Sequence, residues 1–259
     1  MDHRPSNLLD EALGSCDGRF VLIEDSVETS GAFVLHHLIK RFLITPNTPS
    51  AAAAIVFVAL ARPFSHYDRV LRKLGCNLSV HRQNNKFIFV NAFFPDKKSD
   101  SYSIKKKGCR DSLISLYAKI RSAVEADGSP EVRRNHVTVM IDDASLLEVA
   151  ADGCCNHVTD FLHYCHTLTS DFGCSLVVLN HKDIYSCVEG RTPLLQMEYL
   201  ADLIIRVEPL STGLAADVHG QLTVINKGLW DEKKSSRLNN FHFKVKENCT
   251  DYFYPGSQV

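Results

Sequence analysis

Gly18-Arg19-Phe20-Val21-Leu22-Ile23-Glu24-Asp25-Ser26-Val27-Glu28-Thr29-Ser30-Gly31-Ala32-Phe33 joins a continuous apolar run to a short polar turn and a helix start. Residues 18–24 read as a buried strand, and Ser30-Gly31-Ala32-Phe33 opens an amphipathic helix where a phosphate loop would sit. A working loop of the form GxxxxGK[ST] uses lysine for the outer phosphates and a hydroxyl for magnesium. With Gly31 on the second glycine, Ser26 takes the place of the first, Ala32 of the lysine and Phe33 of the hydroxyl. Glu24, Asp25 and Glu28 crowd the turn. One carboxylate about 4 Å from a phosphate charge costs on the order of 4 kcal/mol at an effective dielectric near 20. The turn is therefore expected to repel ATP. An ordinary strand-to-helix connection would carry the same residues, and the segment alone leaves both readings open.

Outward from this turn, strand and helix signals alternate as far as about residue 208. Val34, Leu35, Leu38, Ile39 and Phe42 share one helical face. Residues 53–60 form an apolar run suited to a strand covered on both faces. A helix is expected to start around Ser65 and Asp68, to carry Tyr67, Val70, Leu71 and Leu74, and to stop at Gly75. Residues 87–93 give a third strand. Asp111 is expected to cap a helix bearing Leu113, Leu116, Tyr117, Ile120 and Val124, which ends at Gly128-Ser129-Pro130. Residues 137–141 form a fourth strand closed by Asp142-Asp143. A helix through Val158, Phe161, Leu162, Cys165 and Leu168 follows, then a fifth strand at 175–179. This order predicts an α/β fold with a mostly parallel sheet flanked by helices, because parallel neighbours need crossover connections. Beyond residue 200, the runs 203–207, 222–225 and 241–245 lie too close together for intervening helices, so antiparallel strands are expected. Tyr252-Phe253-Tyr254 suits a short edge strand. No linker or repeat divides the chain, so residues 1–259 are expected to form one domain. Residues 1–8 and 255–259 are expected to be flexible, and 96–110 and 230–240 to be mobile loops.

Composition bounds the function. The 259 residues are 45% apolar and 23% charged, as in an ordinary folded protein. A net charge of -1 gives no global field toward nucleic acid or anionic lipid. The longest apolar run, residues 51–61, falls short of the roughly 20 residues that a spanning helix needs, so no membrane partner is expected. The nine cysteines, without a secretory signal, suit reduced thiols in cytosol and nucleus. Asn77-Leu78-Ser79 and Asn248-Cys249-Thr250 are then chance glycosylation matches.

Candidate chemistry is sparse. Asp142, at the end of Val137-Thr138-Val139-Met140-Ile141, resembles the strand-end acid that helps hold magnesium in RecA-type ATPases, though helix caps and loops use such acids equally. Cys154, Cys155, His157, His163, Cys165, His166 and Cys174 lack the spacing of zinc pairs, and Cys165 shares an apolar helical face. No metal, cofactor or catalytic residue is expected. Basic segments occur at Lys97-Lys98, Lys105-Lys106-Lys107 and Arg110; at His181-Lys182 and Arg191; and at Lys233-Lys234 and Arg237. The lysine triplet suits a nuclear import signal. The second segment leaves the C-terminal end of a parallel strand, where open sheets bind ligands.

Together with the altered phosphate turn, Ile141-Asp142-Asp143-Ala144-Ser145-Leu146-Leu147 and the run from Tyr199 through Pro209 to Leu222 resemble the family of Elongator subunit six, over about Leu8 to Pro255. The resemblance implies a RecA-like fold without ATPase accessory regions, set in a heterohexameric ring with subunits four and five and joined through them to the catalytic Elongator core. It implies a noncatalytic pseudo-ATPase that binds tRNA and supports wobble-uridine modification, with any ATP turnover confined to composite sites of the ring. The family's tRNA-contacting loops fall near residues 144–156 and 181–192, which makes Lys182 and Arg191 the candidate contacts. The first loop holds no lysine or arginine. The competing expectations are an active RecA-like ATPase of DNA recombination or signalling, and a scaffold that never touches RNA.

Overall fold

The computed structural model describes residues 7–44, 54–92, 109–126, 137–185, 193–213, 215, 217–227 and 237–256. Helix α1 (Leu8–Leu13) precedes β1 (Phe20–Asp25), α2 (Ala32–Ile44), β2 (Ala54–Ala59), α3 (Phe64–Lys73), α4 (Leu78–Gln83), β3 (Phe87–Asn91) and α5 (Cys109–Ala126). Then come β4 (Val137–Ile141), α6 (Leu146–Ala150), α7 (Cys155–Phe172), β5 (Ser175–His181), a 3-10 turn (Lys182–Tyr185) and α8 (Pro193–Leu200). Strands β6 (Leu203–Glu208), β7 (Gly220–Asn226), β8 (Arg237–Val245) and β9 (Thr250–Phe253) complete the chain. All nine strands form one sheet in the order β3-β2-β4-β5-β1-β6-β7-β8-β9. Strands β3 to β6 of that order run parallel, and β7, β8 and β9 add antiparallel to β6.

The apolar runs read as buried strands, 18–24 and 53–60, are buried along β1 and β2 because both faces are covered. Successive side chains of a strand point to opposite faces. Val21, Ile23, Phe57 and Val177 accordingly enter one core with α1, α2 and α3, while Phe20, Leu22, Val56 and Val178 enter another with α5, α6, α7 and α8. Helix α2 buries the expected face, Val34, Leu35, Leu38, Ile39 and Phe42, and adds His36 and Leu43. Helix α7 stops at Gly173, whose φ of 67° is the left-handed C-cap that glycine adopts most readily.

Several boundaries differ from expectation. Asn7 accepts from the Leu9 N–H at 3.1 Å, so α1 is capped inside the expected flexible tail. Helix α3 opens at Phe64 without a side-chain cap, and Asp68 lies within it, accepting from Ser79 of α4. Helix α5 begins at Cys109, which places Asp111 in its first turn and takes residues 109–110 out of the expected loop. Strand β8 begins at Arg237, within the expected 230–240 loop. Strand β9 is the expected edge strand, shifted to Thr250–Phe253. Residues 96–108, 228–236 and 257–259 lie outside the described residues. No described helix is long and apolar enough to cross a membrane.

Candidate functional site

The parallel strands β4, β5, β1 and β6 end side by side, and the polar residues of interest stand on those ends. Glu24 and Asp25 are consecutive on β1 and therefore face opposite sides of the sheet. Asp25, fully buried, turns to the start of α2, where its Oδ2 accepts the Gly31 N–H at 2.6 Å. Its Oδ1 meets His181 Nδ1 at the end of β5, and His181 Nε2 lies 3.2 Å from Asp143 Oδ2 at the end of β4. One imidazole thus joins two carboxylates from three strand ends. Asp143 first, and Asp25 with it, raise the His181 pKa to about 10, against the opposing effect of burial.

The turn between β1 and α2 is closed on itself. The Thr29 N–H donates to the Ser26 carbonyl at 3.0 Å, and the Ala32 N–H to Ser30 Oγ at 3.3 Å. The Val27 N–H donates to Asp183 Oδ2 at 2.9 Å, which ties the turn to the segment after β5. With Gly31 bound to Asp25, the amides of Val27, Thr29, Gly31 and Ala32 all have internal acceptors. A phosphate cradle instead leaves such amides pointing at the anion. Phe33 stands where a magnesium-binding hydroxyl was considered, and its ring packs 4.6 Å from that of Phe243 on β8.

Glu24 does not crowd this turn. On the opposite face, its Oε2 accepts from Arg206 Nε at 2.8 Å, and Arg206 also donates to Glu198 Oε1 at 2.8 Å. Burial raises the Glu24 carboxyl to about 7 despite Arg206. Glu28 is exposed at the tip of the turn.

Asp142 is also engaged. Its carboxylate accepts the N–H groups of Leu60 at 2.7 Å and Ala61 at 3.0 Å, and the Tyr67 hydroxyl at 2.5 Å. It pins the connection from β2 to α3. Burial pushes its carboxyl above the usual range, and the three donors partly offset this. Lys182 reaches Glu208 Oε1 at 2.5 Å, and this contact holds the Glu208 carboxyl below its ordinary value. Arg191 lies outside the described residues, as do the lysines at 97–98, 105–107 and 233–234. The described cysteines Cys154, Cys155, Cys165 and Cys174 are free thiols, and no described group of three His, Cys, Asp or Glu could hold a metal ion.

Ser26 lies at the turn after β1, Gly31 just before α2, Ala32 and Phe33 at the opening of α2, and Asp142 just after β4, the places that the sequence indicated for them. Sequence reasoning missed that His181 bridges two carboxylates and that Arg206 and Glu208 hold Glu24 and Lys182. These pairings span 26 to 182 residues of chain, so local spacing carried no signal for them.

A crystal structure of a KaiC-like protein from Pyrococcus horikoshii superposes with a TM-score of 0.65 over 95% of each chain at 12% identity, which shows the RecA-like fold. The model of the family described as Elongation complex protein 6 matches residues 6–247. Elongator complex protein 6 of Homo sapiens is 28% identical over 254 residues, covering 92% of this chain and 91% of the relative. The Dictyostelium discoideum protein of the same name is 25% identical over 316 residues, covering 93% and 92%. The family model covers nearly the whole chain and the relatives match along the same length: the chain belongs to the Elongator complex protein 6 family.

Proposed function

We propose that this chain is a noncatalytic accessory subunit of Elongator that forms a heterohexameric RecA-like ring with subunits four and five, binds tRNA and supports wobble-uridine modification. The observation carrying the noncatalytic part is the internal carboxylate of Asp25 on the Gly31 N–H, with Ala32 and Phe33 where a cation and a hydroxyl would be needed. A side chain fills the anion seat at the start of α2. Asp142, the candidate magnesium holder, is already bound by three donors of its own chain. The modification chemistry then belongs to another subunit, and any ATP turnover to boundaries within the ring.

Lys182 and Arg191 are the proposed tRNA contacts. Lys182 must exchange Glu208 for phosphate, an exchange that leaves its binding salt-sensitive. Native mass measurement of the complex purified through this chain should return paralogous subunits in a six-membered assembly. Titration calorimetry should find no micromolar binding of Mg·ATP to the isolated chain. Lys182→Ala with Arg191→Ala should weaken tRNA binding by the assembly; unchanged affinity removes those two residues from the reading, and micromolar nucleotide binding by the monomer removes the noncatalytic role.

A further inference from the structure

Charge is not spread evenly along this near-neutral chain. Residues 29–95 hold eight lysines and arginines and one acid, Asp68, a net of +7; the remainder holds 21 basic and 29 acidic residues, a net of -8. Six of the eight basic residues, Arg62, Arg69, Arg72, Lys73, Arg82 and Lys86, lie on or beside α3 and α4, and all six are exposed.

The fold organises them. His66, Arg69 and Lys73 recur at intervals of three and four residues, so they share one face of α3 while Tyr67 and Leu71 are buried, and Arg62 lies in the bend just before the helix. At a rise of about 1.5 Å per residue the stripe from His66 to Lys73 is roughly 10 Å long. Helix α4 brings Arg82 back to the start of α3, where its guanidinium carbon lies 5.1 Å from the Phe64 ring centroid. Asp68 is committed to Arg72 at 2.6 Å and to the Ser79 N–H and hydroxyl. Among the described residues, Arg72 alone of the six has a carboxylate within ion-pair distance. Ser65, Asp68, Arg69, Arg72 and Lys73 line a shallow groove of about 440 Å³.

The chemistry of the rest of this face selects the ligand. Ser65, Asn77, Gln83, Asn84 and Asn85 are exposed beside the cations, and Val80 is the one large apolar side chain on residues 61–86 with substantial exposure. A protein interface is built around buried aromatic or apolar anchors, and a membrane-seated helix needs a wide apolar face. Guanidinium, ammonium and amide donors spaced along a helix without such anchors are what a phosphodiester backbone takes up.

We propose that the α3–α4 face is a nucleic-acid backbone-binding surface, separate from the loop after β5. The inference stands on charge and placement and does not depend on Lys182 or Arg191. The test is fluorescence anisotropy of a labelled tRNA-length RNA with the full-length chain in its native assembly, from about 50 to 200 mM salt. Neutralising Arg62, Arg69 and Lys73 together to Ala should lower affinity roughly tenfold or more and flatten the log–log salt dependence by about two to three. Arg62→Lys with Arg69→Lys should keep the slope, and Ser65→Glu, which leaves every cation in place, should weaken binding. The loss should persist in a background carrying Lys182→Ala and Arg191→Ala, which separates the two surfaces. The proposal is overturned if the wild type ignores RNA at low salt, or if the triple variant and Ser65→Glu bind RNA as the wild type does while remaining folded. It is equally overturned if the triple variant loses only polyglutamate or anionic vesicles.

Discussion

Gly31 is a glycine for want of room. Its backbone needs no positive φ; a Cβ there would lie 3.1 Å from Ile23 Cγ2, 3.2 Å from Asp25 Cβ and 3.3 Å from Leu179 Cδ1. These three atoms belong to β1 and β5 at the heart of the sheet. Because the interior is packed to crystal-like density, they cannot all retreat. Gly31→Ala should therefore destabilise the fold by about 1–3 kcal/mol, the usual range for overpacking, read as a lower urea midpoint at an unchanged slope. A neutral substitution would mean that α2 can slide outward, and that the Asp25 to Gly31 hydrogen bond is weaker than its 2.6 Å length suggests.

At the scale of elements, the turn between β1 and α2 separates two explanations that the sequence could not. That Ala32 and Phe33 stand where a phosphate loop would need a lysine and a hydroxyl was legible; occupation of the turn's own amides was not, because Asp183, Ser26, Ser30 and Asp25 become acceptors only through the fold. Introducing a lysine and a hydroxyl with Ala32→Lys and Phe33→Thr should accordingly fail to confer ATP binding by calorimetry, since the amides of residues 27, 29, 31 and 32 would still donate inward. Micromolar binding by that variant would show that the side chains at 32 and 33 alone decide whether the turn takes a phosphate. The same contrast explains the fold reading. Long apolar runs and 18-residue periodic helices such as α7 announce themselves, whereas α1, α4 and α6, of six, six and five residues, are too short to complete a periodic pattern. The basic face of α3 escaped for a related reason: its cations are dispersed at helical spacing, and only consecutive charges read as a cluster in a linear sequence.

At the scale of the whole molecule, His181 ties the ends of β5, β1 and β4 together, so its protonation is linked to the stability of the whole sheet. Its pKa rises from 6.5 to about 10 on folding. The folded state then holds a proton that the unfolded chain releases. The stabilisation is complete below pH 6.5 and is lost as pH climbs through about 10. Two other buried groups titrate lower and oppose each other. Burial lowers His36 to about 4, which makes stability rise with pH up to 6.5, and raises Glu24 to about 7, which makes it fall from 4.5. Above pH 9 the buried thiols Cys165 and Cys174, whose pKa values burial pushes up, add losses of their own. That leaves roughly pH 7 to 8.5, between these ranges, as the window in which His181 dominates among these groups. Unfolding free energy there should decline with pH by at most about 1.4 kcal/mol per unit, the limit for one proton, and by less because a third of the ring meets solvent. His181→Gln keeps hydrogen-bonding capacity without the titratable charge. It should flatten the decline within this window and leave the acid side of the profile as it was. An equal slope in wild type and variant from urea titrations at successive pH values would show that the imidazole is not charged between Asp25 and Asp143, and that the three strand ends are held by neutral hydrogen bonds instead.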